Sequence, residues 1–430
     1  MKSRIWMQEV RPFPSRGTPY AGDFIVLGYN READEFIAGV QRDGAIVHMG
    51  TFARGLKAEE KEALIQAITA NRSERGDSSD STTIWVKPGI CVELAFASQV
   101  GEELAGLVFR AFRLQTSWQS CTWNKLVVDN ALVGTGVSLT SPDKWIWPSA
   151  QPHIDKEGYL AYLAQMAPVM LPFLANRLLT TIRYPQGAGG ESFYQKNCPD
   201  YAPSFIPTGQ HEGINYIICN DLATLMWLGN QNTIEYHLPF NRFGEEKPLE
   251  IVLDLDPPGR EAFPLAVKAA AEIRSILDSF GMTGYPKLSG NKGLQVHIPL
   301  DPSLALTYDD ARVFTSFVAQ YLVERFPDSF TTERLKKNRG KRLYVDYVQH
   351  AAGKTIICPY SPRGNEHAGI AAPLRWEEVN ERLRPETFTM PFVLQRLASE
   401  GCPMADCFET GNRQASNVIA LLREKARVRR

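Results

Sequence analysis

No two of the seven cysteines form a C-x-x-C pair. Cys91, Cys121, Cys198, Cys219, Cys358, Cys402 and Cys407 are odd in number and scattered. That argues against a disulfide framework and a cysteine zinc site, and predicts reduced thiols. No apolar run reaches bilayer-spanning length, and the N-terminal MKSRIWMQEV has no apolar signal core. A soluble, cytoplasmic chain with no membrane partner is therefore expected. Net charge is also small, at −1 from 47 basic and 48 acidic residues, so total charge announces no polyanionic partner. The basic residues are nevertheless clustered. RLKKNRGKR (Arg334–Arg342) carries six positive charges, and KARVRR closes the chain. The first run reads as a phosphate-gripping patch or a solvated loop, the second as a solvated, frayed tail.

What is present is an ordinary globular composition, 44% hydrophobic and 22% charged over 430 residues, enough for two or three domains. Residues 1–125 read as short strands. Phe24–Leu27, Glu35–Val40 and Ala45–Met49 are separated by turn residues that include Asp43-Gly44. Lys57–Ala70 has helical spacing, Asn71–Thr82 is a polar loop, and Thr83–Val86 and Cys91–Ala97 resume strand character. Short strands with one helix suggest a small β-barrel of the oligonucleotide-binding type, or another small β domain. A loop over Trp123–Asp143, with Gly134, Gly136 and Pro142, marks the expected boundary, with residues 126–136 as linker.

The remainder, 137–430, mixes helices and strands. Gly158–Leu179 is an apolar helix that Pro168 and Pro172 should break or kink. Leu249–Leu255, Leu294–Leu300 and Leu343–Val348 read as strands, and Pro264–Phe280 and Asp309–Phe326 as helices. The class expected is α+β, with a central sheet flanked by helices.

EIVLDLDPPG (250–259) is the strongest local signal. Residues two apart on a strand share a face, so Asp254 and Asp256 point the same way. At about 4 Å and an effective dielectric near 20 their repulsion is roughly 4 kcal/mol. A divalent cation removes it, and oxygen ligands suit Mg²⁺ or Mn²⁺. Asp346, mid-strand in RLYVDYV, is costly to bury alone and is the third candidate around two metal ions. D-x-D alone also occurs in glycosyltransferases and phosphatases, or merely caps a loop.

KLSGNKGLQVHIPL (287–300) places Ser289, Gly290, Lys292 and Gly293 before a strand. Glycines allow close backbone approach, and the amides, the Ser289 hydroxyl and Lys292 suit phosphate. It is not a Walker loop. His297 on the following strand is a packing residue or a site residue. In CPYSPRGN (358–365), Arg363 with Ser361 can grip a triphosphate as a planar fork, or lie on a surface loop.

Together, RYPQGAGGESFYQKNCP (183–199), WLGNQNTIEYHLPFNR (227–242), LDLDPPG (253–259), KLSGNKGLQVHIPL, RLYVDYVQH (342–350) and CPYSPRG resemble the polymerase domain of bacterial DNA ligase D. That domain belongs to the archaeo-eukaryotic primase superfamily, and the resemblance spans about Val137 to Leu383. It implies that Asp254, Asp256 and Asp346 are catalytic metal ligands. It implies that Ser289, Lys292, Ser361, Arg363 and His237 hold the incoming nucleotide. Lys144, Lys156 and Lys196 would take the 5′-phosphate across a gap, with Phe193 or Tyr194 stacking near the template base. The implied function is gap filling and end extension at double-strand breaks in non-homologous end joining, preferring ribonucleotides and Mn²⁺. The implied partners are DNA ends with a 5′-phosphate and bacterial Ku, and the implied location is cytoplasmic and nucleoid-associated. The chain departs from the family at Ser141 and His350, often asparagine, and at Gln295, often histidine.

The first 125 residues resemble, more loosely, the OB-fold domain of ATP-dependent DNA ligases, through GDFIVLGY (22–29), GAIVHMGTFARGL (44–56), TIWVKPGICVELAFA (83–97) and VFRAFR (108–113). No K-x-D-G adenylation motif precedes them, so sealing by this chain alone is not expected; either the barrel is a leftover DNA-binding module, or the ligase half is encoded separately or lost. A non-catalytic module bridging DNA ends, and a replicative primase, are the rival readings.

Overall fold

The computed structural model describes residue 13 and residues 17–73 and 82–428. They fall into two compact units: the described part of Arg11–Pro142 with Glu157–Gln165, and Asp143–Lys156 with the described part of Met166–Arg430. Much of the polar loop expected at 71–82 lies outside the described residues.

The smaller unit holds β1 (Tyr20–Asn30), β2 (Glu35–Arg42), β3 (Ala45–Phe52), α1 (Ala58–Ala70), β4 (Thr83–Trp85), β5 (Cys91–Phe96), β6 (Ser98–Val100), β7 (Glu103–Ala105), β8 (Val108–Phe112) and α2 (Trp123–Leu132). Its main sheet runs β3-β2-β1-β5-β8, with β4 also on β1. Beyond β3, Arg54 bridges Val108 of β8, so the sheet curls back on itself. Gly55 permits that closure, because a Cβ there would lie 2.3 Å from the Phe109 carbonyl oxygen. The β2–β3 hairpin pairs Arg42 with Ala45 around Asp43 (φ 52°) and Gly44 (φ 79°), the left-handed pair a tight hairpin demands. Phe24, Phe36, Phe52, Phe96 and Phe109 are buried in this unit.

The stretch expected as a boundary loop is helical over its first ten residues. Thr122 caps α2 by accepting the Lys125 amide at 3.0 Å. Asn130 exchanges hydrogen bonds with the Ala21 backbone, and Leu126 packs under Gly22. The two glycines and the proline dominated the sequence pattern, but they lie after the helix rather than in it.

The larger unit holds β9 (Trp145–Trp147), β10 (Ile154–Asp155), both ends of α3 (Lys156–Leu174), whose residues Glu157–Gln165 belong to the smaller unit, β11 (Thr180–Arg183), β12 (Phe193–Gln195), β13 (Thr208–His211), β14 (Ile214–Ile217), α4 (Leu222–Asn230) and β15 (Thr233–Pro239). Then follow β16 (Glu250–Asp256), α5 (Phe263–Ser279), β17 (Tyr285–Leu288), β18 (Leu294–Pro299), α6 (Tyr308–Arg325), β19 (Phe330–Thr331), α7 (Lys336–Arg339), β20 (Leu343–Asp346), β21 (Thr355–Ile357), α8 (Met390–Glu400) and α9 (Ala415–Val428). Two sheets matter for the site: β12-β11-β15-β21, and β17-β18-β16-β20-β19 with β16 at its centre. Helices α5 and α6 pack on β16. The α5 positions Ala266, Ala269, Ala270, Ile273 and Leu277 are all buried, the i, i+3, i+4, i+7 stripe of a core-facing helix. Each large aliphatic buried this way contributes about 1.5–3 kcal/mol.

Two expectations are corrected here. Helix α3 is continuous through Pro168 and Pro172, so they do not break it. The prolines lie four residues apart on one side, exposed and half-buried, while Tyr159, Leu163, Met166 and Met170 are buried. The expected frayed tail is helical to Val428, with Arg423 of α9 bonded to Asp310 of α6 at 2.6 Å. No helix among the described residues is long and apolar enough to cross a membrane.

Candidate active site

On β16, Ile251, Leu253 and Leu255 are fully buried on one face, and Glu250, Val252, Asp254 and Asp256 take the other. Asp254 lies directly opposite Asp346 of β20, and Asp256 opposite Tyr344. Directly opposed residues of an antiparallel pair share a face, so the register gathers the three aspartates at one end of one sheet face. Burial pushes Asp254 up to about 6, and the charges of Asp256 and Asp346 add to the rise, against a hydrogen bond from Gln295 at 3.1 Å. Asp346 accepts from the Tyr344 hydroxyl (3.1 Å) and the Gln349 amide (2.9 Å). Asp256 pairs with Lys292 at 3.1 Å and with Arg339 at 3.7 Å. With the side chains so engaged, no three His, Cys, Asp or Glu groups among the described residues converge closely enough to hold a metal ion. The aspartates are thus a set joined by strand register, not a closed cage. Their all-oxygen chemistry and mutual repulsion still fit a hard divalent cation, whose charge would do what Lys292 and Arg339 do here for Asp256.

The turn after β17 is built by glycines. Ser289 accepts from the Gly293 amide (3.0 Å) and the Asn291 amide (3.4 Å). A Cβ on Gly293 would lie 2.7 Å from the Leu255 carbonyl oxygen, and one on Gly290 (φ 74°) 2.7 Å from Arg363 Cγ. Glycine therefore lets this turn lie against both the aspartate strand and Arg363. Lys292 donates to the Pro257 carbonyl at 2.7 Å and reaches Asp256, so a phosphate-type cation sits beside the carboxylates.

Arg363 and His237 converge on one acid. Glu235 of β15 contacts His237 Nε2 at 3.0 Å and Arg363 Nη1 at 3.4 Å. Ser361 departs from its expected role in gripping nucleotide. It is fully buried, its hydroxyl accepting the Tyr236 amide at 3.1 Å and donating to the Pro362 carbonyl at 3.1 Å. Both bonds tie it to backbone, so it braces the 358–364 loop. His297 is buried too, bonded through Nδ1 to Glu250 at 2.7 Å. It shares the aspartates' face, paired with Val252, one step along that face from Asp254.

Lys144 and Lys156 are joined by the Lys156 amide on the Lys144 carbonyl at 2.8 Å. Lys156 is 3% exposed, and burial with the charge of Lys144 lowers it to about 8. Lys196 is exposed just beyond β12. On that edge strand Phe193 and Tyr194 are 45% and 72% exposed, and the Arg183 guanidinium lies 5.6 Å from the Phe193 ring centre. In the basic run, Arg334, Lys336 and Lys337 are exposed, while Arg339 folds in over the Tyr344 ring at 3.9 Å.

Sequence reasoning missed three residues. Fully buried Lys287 donates to Gln295 (2.6 Å) and to the Ile357 carbonyl of β21 (3.2 Å), and Gln295 in turn holds Asp254. The third is Glu235. Its only sequence signal was the E-x-H spacing, which puts it on the face of His237.

A D-x-D strand paired with a third aspartate, in a sheet backed by two helices, places the larger unit among the primase-polymerases. The family model described as "LigD, primase-polymerase domain" matches residues 155–404. The chain belongs to that family. It is 41% identical over 402 residues to the bifunctional non-homologous end joining protein LigD of Bacillus subtilis, covering 93% of this chain and 64% of that protein. To the multifunctional LigD of Mycolicibacterium smegmatis it is 34% identical over 274 residues, 62% of this chain and 35% of that protein. The chain thus spans less than two thirds of these relatives. The polymerase domain of Mycobacterium tuberculosis ligase D, solved in complex with DNA, superposes with a TM-score of 0.60 at 30% identity, over 65% of this chain and all of that one.

Proposed function

We propose that the chain is a nucleotidyltransferase that fills gaps and extends broken DNA ends in end joining. The supporting observation is the pairing of Asp254 with Asp346 beside Asp256, with Lys292 already seated on that carboxylate. Asp254, Asp256 and Asp346 are the residues that would hold two divalent cations, Mn²⁺ or Mg²⁺. Such ions supply Lewis-acid stabilisation of the attacking 3′-hydroxyl and the departing pyrophosphate. The protein's own groups do the rest. Lys292, the amides of the Ser289–Gly293 turn, Arg363 and His237 neutralise and orient the triphosphate of a ribo- or deoxyribonucleotide, with ribonucleotides preferred. Lys144 and Lys196 take the terminal 5′-phosphate, buried Lys156 adds its charge from behind with its Nζ on the Asn230 carbonyl at 3.1 Å, and Phe193 and Tyr194 stack on exposed bases. The curled N-terminal sheet, read as an OB-fold over 1–125, would hold duplex or single strand, and Ku and a ligase activity complete the joining reaction.

The test is extension of gapped DNA bearing a 5′-phosphate, with Mn²⁺ and either nucleotide type, by wild type and by Asp254→Ala/Asp256→Ala. Extension by wild type alone is expected. Tight DNA binding with no extension by either protein would leave the non-catalytic bridging role.

A further inference from the structure

One buried carboxylate gathers four donors behind the phosphate-gripping groups. Glu235 is 4% exposed. Its Oε2 faces His237 Nε2 and Arg363 Nη1, and its Oε1 accepts the Tyr184 hydroxyl at 3.1 Å and the Gly364 amide at 3.0 Å. A Cβ on Gly364 would lie 2.0 Å from the Tyr184 ring, so ring, backbone and carboxylate pack as one block. That block joins β15, the chain just after β11, and the 358–364 loop at a single point. Burial pushes the Glu235 carboxyl up, but the His237 hydrogen bond, the charge of Arg363 and the Gly364 amide outweigh it and lower it to about 2. Arg363 and His237, held from behind, keep 22% and 15% of their side chains exposed.

A buried ion pair is a weak source of net stability, since an apolar replacement is often neutral. What four converging bonds fix well is direction. Resting on the polymerase reading above, we propose that Glu235 is the positioning residue of the nucleotide site, aiming the Arg363 guanidinium and the His237 ring at the triphosphate while touching no substrate atom itself. The sheet register supports this: Glu235 and His237 are two residues apart on β15, facing Ile182 and Thr180 of β11.

The experiment measures extension of gapped DNA at varied nucleotide concentration with Mn²⁺, for wild type, Glu235→Gln, Glu235→Asp, Arg363→Ala and the Glu235→Gln/Arg363→Ala double variant. Glu235→Gln keeps the volume and loses the charge. It should lower the Tm, because four donors lose a charged partner, and raise the KM for nucleotide about tenfold with kcat within about twofold. Because Glu235 acts through Arg363, the double variant should be no worse than Arg363→Ala alone. An unchanged KM, a loss confined to kcat, or additive losses in the double variant would each overturn the proposal. Should Glu235→Gln not fold, Glu235→Asp, which keeps the charge but draws it back, answers by the same KM criterion. Wild type that extends nothing would sink the polymerase reading instead; equilibrium binding of a fluorescent ATP analogue would then decide on Glu235, weaker binding by Glu235→Gln supporting it and equal binding refuting it.

Discussion

Asp254 and Asp346 face one another directly across the β16–β20 ladder, two acids from segments 92 residues apart brought into register by backbone pairing alone. Like charges so placed oppose folding unless a cation intervenes. Asp254 sits above its ordinary range, so its ionised form is disfavoured in the folded state, and stability falls as the pH rises from the ordinary carboxylate range to about 6 and stays low above it. In EDTA at pH 7.5 or so, Asp254→Asn should therefore raise unfolding stability by about 1–2 kcal/mol while removing activity. Calorimetry checks this. Added Mn²⁺ should raise the Tm of wild type and leave the variant unmoved; a variant less stable than wild type in EDTA would show the carboxylate to be a structural support.

The lysines proposed for the 5′-phosphate would carry a pH signature. Lys156 is lowered to about 8, so its positive charge is present below that pH and lost above it. The preference for a 5′-phosphorylated gap over an unphosphorylated one should be largest near pH 7 and shrink as the pH rises through 8. Fluorescence anisotropy between about pH 6.5 and 9.5 reads it, and Lys156→Met should flatten the curve. A preference constant to pH 9 would remove Lys156 from that role.

Phe193 and Tyr194 make few packing contacts, given their exposure. Replacing each by alanine should weaken binding of gapped DNA by about 1–3 kcal/mol, with little dependence on template sequence. The Tm should stay within about 1–2 °C, and a large Tm loss would mark the rings as core.

Ser361 makes the opposite case. Ser361→Ala removes the hydroxyl to which the buried Tyr236 amide donates and should cost about 1–2 kcal/mol of stability. The KM for nucleotide should not change. A raised KM at unchanged Tm would return Ser361 to the nucleotide grip.

How much of this was legible follows from the range of the interactions. EIVLDLD announced its strand and the shared face of Asp254 and Asp256, because alternation is local. The glycines of the Ser289–Gly293 turn were legible for the same reason, though not the surfaces they approach, Leu255 and Arg363. The helix α2 was hidden by the Gly134, Gly136 and Pro142 that follow it, although Thr122 was a readable cap. In α3, packing overrode the local cost of two prolines. Lys287, Gln295 and Glu235 work through residues brought from other strands, and His297 turned to Glu250, two strands' register deciding its partner. Ser361 looked like a ligand because its motif contains Arg363, the cation proposed for the triphosphate; burial and two backbone bonds set Ser361 apart.

The most direct test is single-turnover extension of a gapped, 5′-phosphorylated DNA by wild type and Asp346→Asn, with DNA affinity measured alongside. Asp346 comes from a different strand than the D-x-D pair, so its effect reports on the assembled site and not on one motif. The account predicts a rate loss of about a thousandfold or more at nearly unchanged DNA affinity. An Asp346→Asn variant that extends at the wild-type rate would contradict a three-aspartate site.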